Sequence, residues 1–188
     1  MEYVEAIRDK RQIQSIKKVL KKSSARDYLL FVFGINTGLK ITELLNIRVS
    51  DVVSENQKVN DYLKLYDEGS GETRFIYLNS KVKKALKEFL AKDKWEMTAF
   101  LFHSSRSSQP ITRQQAYRII HEAAEKAGVT AKVGTQSMRK TFGFHAFKQG
   151  VAISLLQKYF HHSTPSETLK YIGVSKDEPV RTEIDVNL

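Results

Sequence analysis

The segment Gly134–Val174, GTQSMRKTFGFHAFKQGVAISLLQKYFHHSTPSETLKYIGV, decides how the rest of the chain is read. It presents Arg139, His162 and Tyr171 in that order, on helical stretches separated by turn residues. A helix is expected over Gln136–Gln149, closed by Gly150. A second is expected over Ala152–Phe160, where Ile153, Leu156, Tyr159 and Phe160 recur at helical spacing. Thr164, Pro165 and Glu167 supply the cap, the first-turn proline and the third-position carboxylate of a third helix. Tyr171 then falls on its second turn, just ahead of Gly173. From Val129 to Ile172 there are six basic residues and one acidic, net +5. From Gly173 to Leu188 there are two basic and four acidic, net −2. Concentrated cations around a hydroxyl are the residue types a phosphate-handling site needs.

The whole chain supports that direction. It has 188 residues, enough to bury a core of its own. Thirty-one Lys and Arg against 21 Asp and Glu leave +10, a field that attracts polyanions, with nucleic acid the expected partner. A well-solvated basic surface is the plainer reading of the same charge. The longest apolar run, Tyr28–Ile35, is too short to span a bilayer, so no membrane partner is expected. MEYVEAIRDK has neither a secretory nor a transit pattern, and there is no cysteine, which fits a reducing, cytoplasmic location.

From the N-terminus, Ile13, Ile16 and Leu20 mark the apolar face of a helix over Asp9–Lys22, with lysines largely opposite. Ser24 and Asp27 cap a second helix, apolar nearly all round, that stops at Gly38 and belongs in the core. Ile41–Ile47 resumes as a short helix. Tyr62–Tyr66 and Thr73–Leu78 read as a β-hairpin around a glycine-bearing loop. Asn79 or Ser80 caps a helix to about Ala91, Ala99–Phe102 reads as a strand, and Thr112 with Gln115 forms a capping box for a helix closing at Gly128. The fold class is mainly α with one small antiparallel β-hairpin or sheet, without internal repeats.

Three boxes in this chain resemble the catalytic domain of the tyrosine recombinases, the phage integrase family. Thr37-Gly-Leu-Lys40-Ile-Thr-Glu-Leu-Leu45 is similar to the box holding the family's first arginine. Gln136-Ser-Met-Arg139-Lys-Thr-Phe142 is similar to the second box. Phe160-His-His162-Ser-Thr164, followed by Tyr171 nine positions after His162, is similar to the third. The resemblance covers about Met1 to Val174, which it implies is one catalytic-type domain, followed by a tail over residues 175–188 and without the separate N-terminal helical domain that closes the family's DNA clamp. It implies site-specific cleavage and rejoining of double-stranded DNA through a 3′-phosphotyrosyl bond, in a bacterial or phage-encoded protein of a mobile element. No cofactor is implied. A second copy or a partner recombinase is expected to complete the clamp.

Carried over position by position, the resemblance makes Tyr171 the nucleophile, with Arg139, His162 and Lys40 around the scissile phosphate and Gln136, Lys140 and Lys64 as further phosphate contacts. Three of six family positions differ: Lys40 stands for an arginine, Gln136 for a histidine, and Gly69 where the hairpin lysine is expected. Lysine keeps the charge but not the bidentate fork, and glutamine cannot exchange a proton near neutral pH. The expectation is an impaired recombinase, with a catalytically inactive DNA-binding regulator of the same fold as the alternative. On pattern alone Tyr171 is a packing residue, while for Arg139 a phosphate partner is preferred to a structural ion pair because acidic residues are nearly absent around it, for His162 a phosphate contact stands ahead of a helix cap, and Lys40 reads equally as a nonspecific phosphate contact or a catalytic cation. His145 reads as a core histidine, and His103 and His161 lack neighbours at ligand spacing, so no metal site is expected.

Overall fold

A computed structural model describes residues 4–54, 56–67 and 71–175. Among them the helices are α1 (Lys10–Ser23), α2 (Ala25–Thr37), α3 (Ile41–Leu45), α4 (Val49–Val52), α5 (Ser80–Leu90), α6 (Arg113–Lys126), α7 (Thr135–Lys148), α8 (Ile153–Phe160) and α9 (Pro165–Ile172). The strands β1 (Tyr62–Asp67) and β2 (Glu72–Tyr77) pair antiparallel, with Leu63 opposite Ile76 and Leu65 opposite Arg74. The expected class, mainly helical with a two-stranded antiparallel sheet, is the observed one. The Gly69 position and the tail beyond Ser175 lie outside the described residues.

The capping chemistry sets most boundaries. Asp9 accepts from Arg11 N at 2.7 Å, Ser24 from Asp27 N at 3.3 Å, and Asn79 from both Lys81 N and Val82 N. Thr112 and Gln115 exchange reciprocal bonds of 3.1 and 2.8 Å, a complete capping box that satisfies two orphan donors of α6. At α9 the expected box is altered: Thr164 accepts from Glu167 N, but the Glu167 carboxylate reaches back one residue further, to Ser163 N at 2.8 Å.

Two expectations for the middle of the chain are corrected. The helix expected over Ile41–Ile47 ends at Leu45, and a separate single turn, α4, follows. Ala99–Phe102 is not a named strand. It makes one isolated bridge, Phe100 with Arg48, and Leu101 N donates to Ile47 O at 2.8 Å. Val49 N donates to Ala99 O beside that bridge, but Ile111 N, from a different segment, donates to Phe102 O, so the ladder stops at one rung.

The main core gathers Phe31, Phe33, Leu29 and Leu30 of α2, which is buried nearly all round as its composition requires, against α1, α5 and α7, and α6 joins it by packing on α1 and α7. A smaller cluster holds Phe144 of α7, Phe160 of α8, Ile172 of α9, and Ala6 and Val174 outside the helices. Gly143 makes this second cluster possible, because a Cβ there would lie 2.6 Å from Ile172 Cγ2 and 2.7 Å from Phe160 Cε2. Residues 4–8 strap across these helices: Ile7 N donates to Thr141 Oγ1 at 2.8 Å, Lys140 Nζ to Val4 O at 2.8 Å, and Arg8 Nη2 to Gly173 O.

Candidate active site in a basic cleft

The ends of α2 and α8 meet beside α7, and the peptide geometry there explains why a guanidinium is buried between them. Gly38, in the left-handed conformation that closes α2, and Phe160, the last residue of α8, each turn a carbonyl without a helical partner toward the same point. Arg139 of α7 fills it, donating from Nη1 to Gly38 O at 2.5 Å and from Nη2 to Phe160 O at 3.2 Å. Its guanidinium also lies over the Phe160 ring, 4.5 Å from the centroid. A cation at two helix C-termini is favoured by both dipoles. Burial pulls the Arg139 pKa down, and the nearby Tyr171 and Glu43 oppose that. Arginine keeps its charge regardless.

Tyr171 of α9 stands against the same group. Its ring packs edge-on to His162, with centroids 4.9 Å apart, and to Phe160 at 5.5 Å. Burial pushes its hydroxyl pKa above the usual 10, while the charge of Arg139 and a hydrogen bond from it act in the opposite direction. The hydroxyl is therefore protonated at neutral pH, held beside a cation that favours its anion.

His162 follows a tight α8 terminus. His161 takes the left-handed position, φ 58° and ψ 42°, and His162 N donates to Gln157 O at 3.0 Å. A non-glycine residue there is uncommon, although histidine is among those that tolerate it. The His162 ring bonds through Nδ1 to Thr168 Oγ1 at 3.0 Å, and that hydroxyl donates onward to Thr164 O at 3.3 Å. With the hydroxyl proton so used, Nδ1 is the donor and Nε2 of the neutral ring is an acceptor. Burial holds the His162 pKa below its ordinary value, with Glu167 opposing, so the neutral form prevails at physiological pH. Thr168 is fully buried on α9. Sequence reading did not single it out, because a threonine three residues before the tyrosine has no signature until the helix turn brings it under His162.

These side chains line one cleft of about 300 Å³ together with Lys40, Gln136, Leu39, Ile41 and Thr135. Five of the seven residues expected at the site are thus brought together: Lys40, Gln136, Arg139, His162 and Tyr171. Lys40 and Gln136 are exposed at its rim. Lys40 precedes α3, where its N–H donates to Glu43 Oε2 at 2.7 Å, while Glu43 Oε1 binds Arg74 of β2. That pair anchors the hairpin behind the cleft and neutralises the nearby carboxylate. Lys140 and Lys64 do not line the cleft. The Lys140 ammonium points to the strap, on Val4 O, and lies 5.3 Å from the centroid of the Tyr171 ring on the side of residues 4–8. Lys64 sits on the outward face of β1, opposite Phe75. Helical geometry accounts for Lys140: it is one residue, or about 100°, around α7 from Arg139, so the two cannot share a face. Among the described residues no group of three metal-ligating side chains occurs, and no helix is long and apolar enough to cross a membrane.

Tyr159 sets the pH behaviour of this region. Its hydroxyl donates to Thr37 O at the end of α2, and burial pushes its pKa up to about 12. The folded state therefore holds a proton that the unfolded chain releases above pH 10, so stability is full below 10 and falls as pH rises toward 12. The expected decline is on the order of 2 kcal/mol. It should be visible in urea unfolding as a slope that Tyr159→Phe reduces.

Residues 8–178 match the model of the phage integrase family. The chain is 38% identical over 177 residues to the probable integrase/recombinase YoeC of Bacillus subtilis, covering 94% of this chain and 93% of that protein. It is 25% identical to the tyrosine recombinase XerA of Pyrococcus furiosus, covering 87% of this chain but only 56% of XerA. In fold it matches a crystal structure of XerA recombinase with a TM-score of 0.74 at 20% identity, over 93% of this chain and 61% of that one. A λ integrase dimer bound to a core site matches with a TM-score of 0.69 at 15% identity, over 98% of this chain and 53% of that one.

Proposed function

Because the chain belongs to the phage integrase family, we propose that it binds double-stranded DNA and cuts and rejoins it through Tyr171, at a reduced rate. The observation that carries this reading is the convergence in one cleft of Arg139, His162 and Tyr171, the cation, the neutral imidazole and the phenol. Tyr171 Oη attacks the phosphorus of a phosphodiester, forming a 3′-phosphotyrosyl bond and breaking the bond to the 5′-oxygen, which takes a proton from water and leaves as a hydroxyl. The phenol proton passes to His162 Nε2, available because Nδ1 is committed to Thr168. Arg139 and Lys40 offset the charge that builds on the nonbridging oxygens. Energy is conserved in the new ester, so the freed hydroxyl of a partner strand can reverse the step.

Reduced rate follows from the donors. Lys40 offers a point charge in place of a fork, and Gln136 a hydrogen bond without a transferable proton. The same two features support a second reading, a DNA-binding regulator that keeps the basic cleft without cutting. A nicked suicide substrate separates them. The wild-type chain is expected to yield a denaturation-resistant protein–DNA complex that Tyr171→Phe does not form. Salt-sensitive binding of duplex DNA without any such complex leaves the regulator, and absence of binding removes both readings.

A further inference from the structure

The β-hairpin carries a second surface, on the side turned away from the cleft. Alternation along the strands sends Leu63, Leu65, Arg74 and Ile76 inward, and Tyr62, Lys64, Tyr66, Thr73, Phe75 and Tyr77 outward. Tyr66 is 67% exposed, Phe75 65%, Tyr77 57% and Tyr62 53%. These are four of the six exposed large hydrophobics among the described residues, so the rings are gathered on one face rather than scattered. A solvent-facing strand side normally carries polar residues, and nothing in the packing of the hairpin requires rings here.

Charge on this face has one sign. Lys64 lies at its centre, opposite Phe75, and among the described outward positions of the two strands none is a carboxylate. At the base of the hairpin Lys83 approaches the Tyr77 ring to 5.7 Å and pairs with Asp61, so the carboxylate at that end is already paired. Tyr62 and Tyr77 pack tilted at 5.6 Å, while Tyr66 stands beside Thr73 and leaves its face open.

We propose that this face binds unpaired nucleotides of single-stranded DNA, stacking bases on Tyr66, Phe75 and the Tyr62–Tyr77 pair with Lys64 on the intervening phosphate. Aromatic platforms with a lysine between them suit a ligand whose repeat alternates a flat apolar ring with an anion, and they are indifferent to base identity. Rings on alternate residues of a strand stand ~7 Å apart, room for successive unstacked bases. A second copy of this chain fits less well, because a two-fold contact centred on this face brings Lys64 against its own counterpart. The surface is separate from the cleft, and it gives the protein a hold on frayed or displaced strands that does not depend on Tyr171 chemistry.

Fluorescence anisotropy with a labelled oligodeoxythymidine of about 12 nucleotides tests this. The wild-type chain should bind it with salt-dependent affinity. Tyr66→Ala combined with Phe75→Ala should weaken binding by at least about tenfold, and Phe75→Tyr should keep it. Lys64→Ala should lower the slope of log affinity against log salt by about 0.7. Tyr66 and Phe75 are exposed, so circular dichroism and duplex binding should be unchanged in the double alanine variant, which separates failure of this inference from failure of the proposed function. Equal oligonucleotide affinity in the double alanine variant overturns the inference. So does a wild-type chain that fails to bind the oligonucleotide, or one that light scattering shows to dimerise through this face and the double variant to be monomeric.

Discussion

Arg139→Lys is expected to lower the rate of covalent DNA complex formation by about 10² to 10³, measured by single-turnover cleavage of a suicide substrate. The physical reason is geometric. The guanidinium holds Gly38 O and Phe160 O through two different nitrogens and still faces Tyr171. An ammonium on a shorter, non-planar end cannot serve both carbonyls and a phosphate in one position. The variant should also lose stability, because at least one buried carbonyl loses its donor, at about 1 to 3 kcal/mol. That loss is read independently, as a lower urea midpoint. A cleavage rate that survives this substitution would remove Arg139 from the reacting centre and leave it as the cap of two helices.

Lys40→Arg should act in the opposite direction and raise the same rate by about 10-fold to 10²-fold, because it supplies the second fork at the rim of the cleft. The site has room for it: Lys40 is exposed, its backbone N–H is already fixed by Glu43, and no buried partner of its side chain must be displaced. Stability should change little, as expected for an exposed position. Combining it with Gln136→His tests whether the two rim positions share the limitation, since residues acting on one phosphate are not additive. A doubly substituted chain that binds duplex DNA as the wild type does and still forms no covalent complex would favour the regulator.

Much of this was written in local residue patterns. The caps of α2, α5, α6 and α9, the stop at Gly38 and the apolar stripe of α1 depend on neighbours within a few positions, and such interactions are legible in order along the chain. The hairpin was legible for the same reason, from two alternating runs around a glycine-bearing turn. The strand expected at Ala99–Phe102 was not realised, because a strand needs a partner and hydropathy cannot say whether one is adjacent.

The sequence by itself determined which chemistry was at hand: a phenol, an imidazole and a guanidinium in family order, within a segment of net +5. Only the tertiary structure decided what each group does with its neighbours. It turned Arg139 toward two helix ends and Lys140, the next residue, away to Val4. It set Thr168 beneath His162, which selects the ring tautomer, and it put Lys64 on an aromatic face outside the cleft. The reason is that side-chain direction follows from helix phase and strand alternation, whereas what lies in that direction depends on contacts distant in sequence, such as Lys140 with Val4, 136 residues apart.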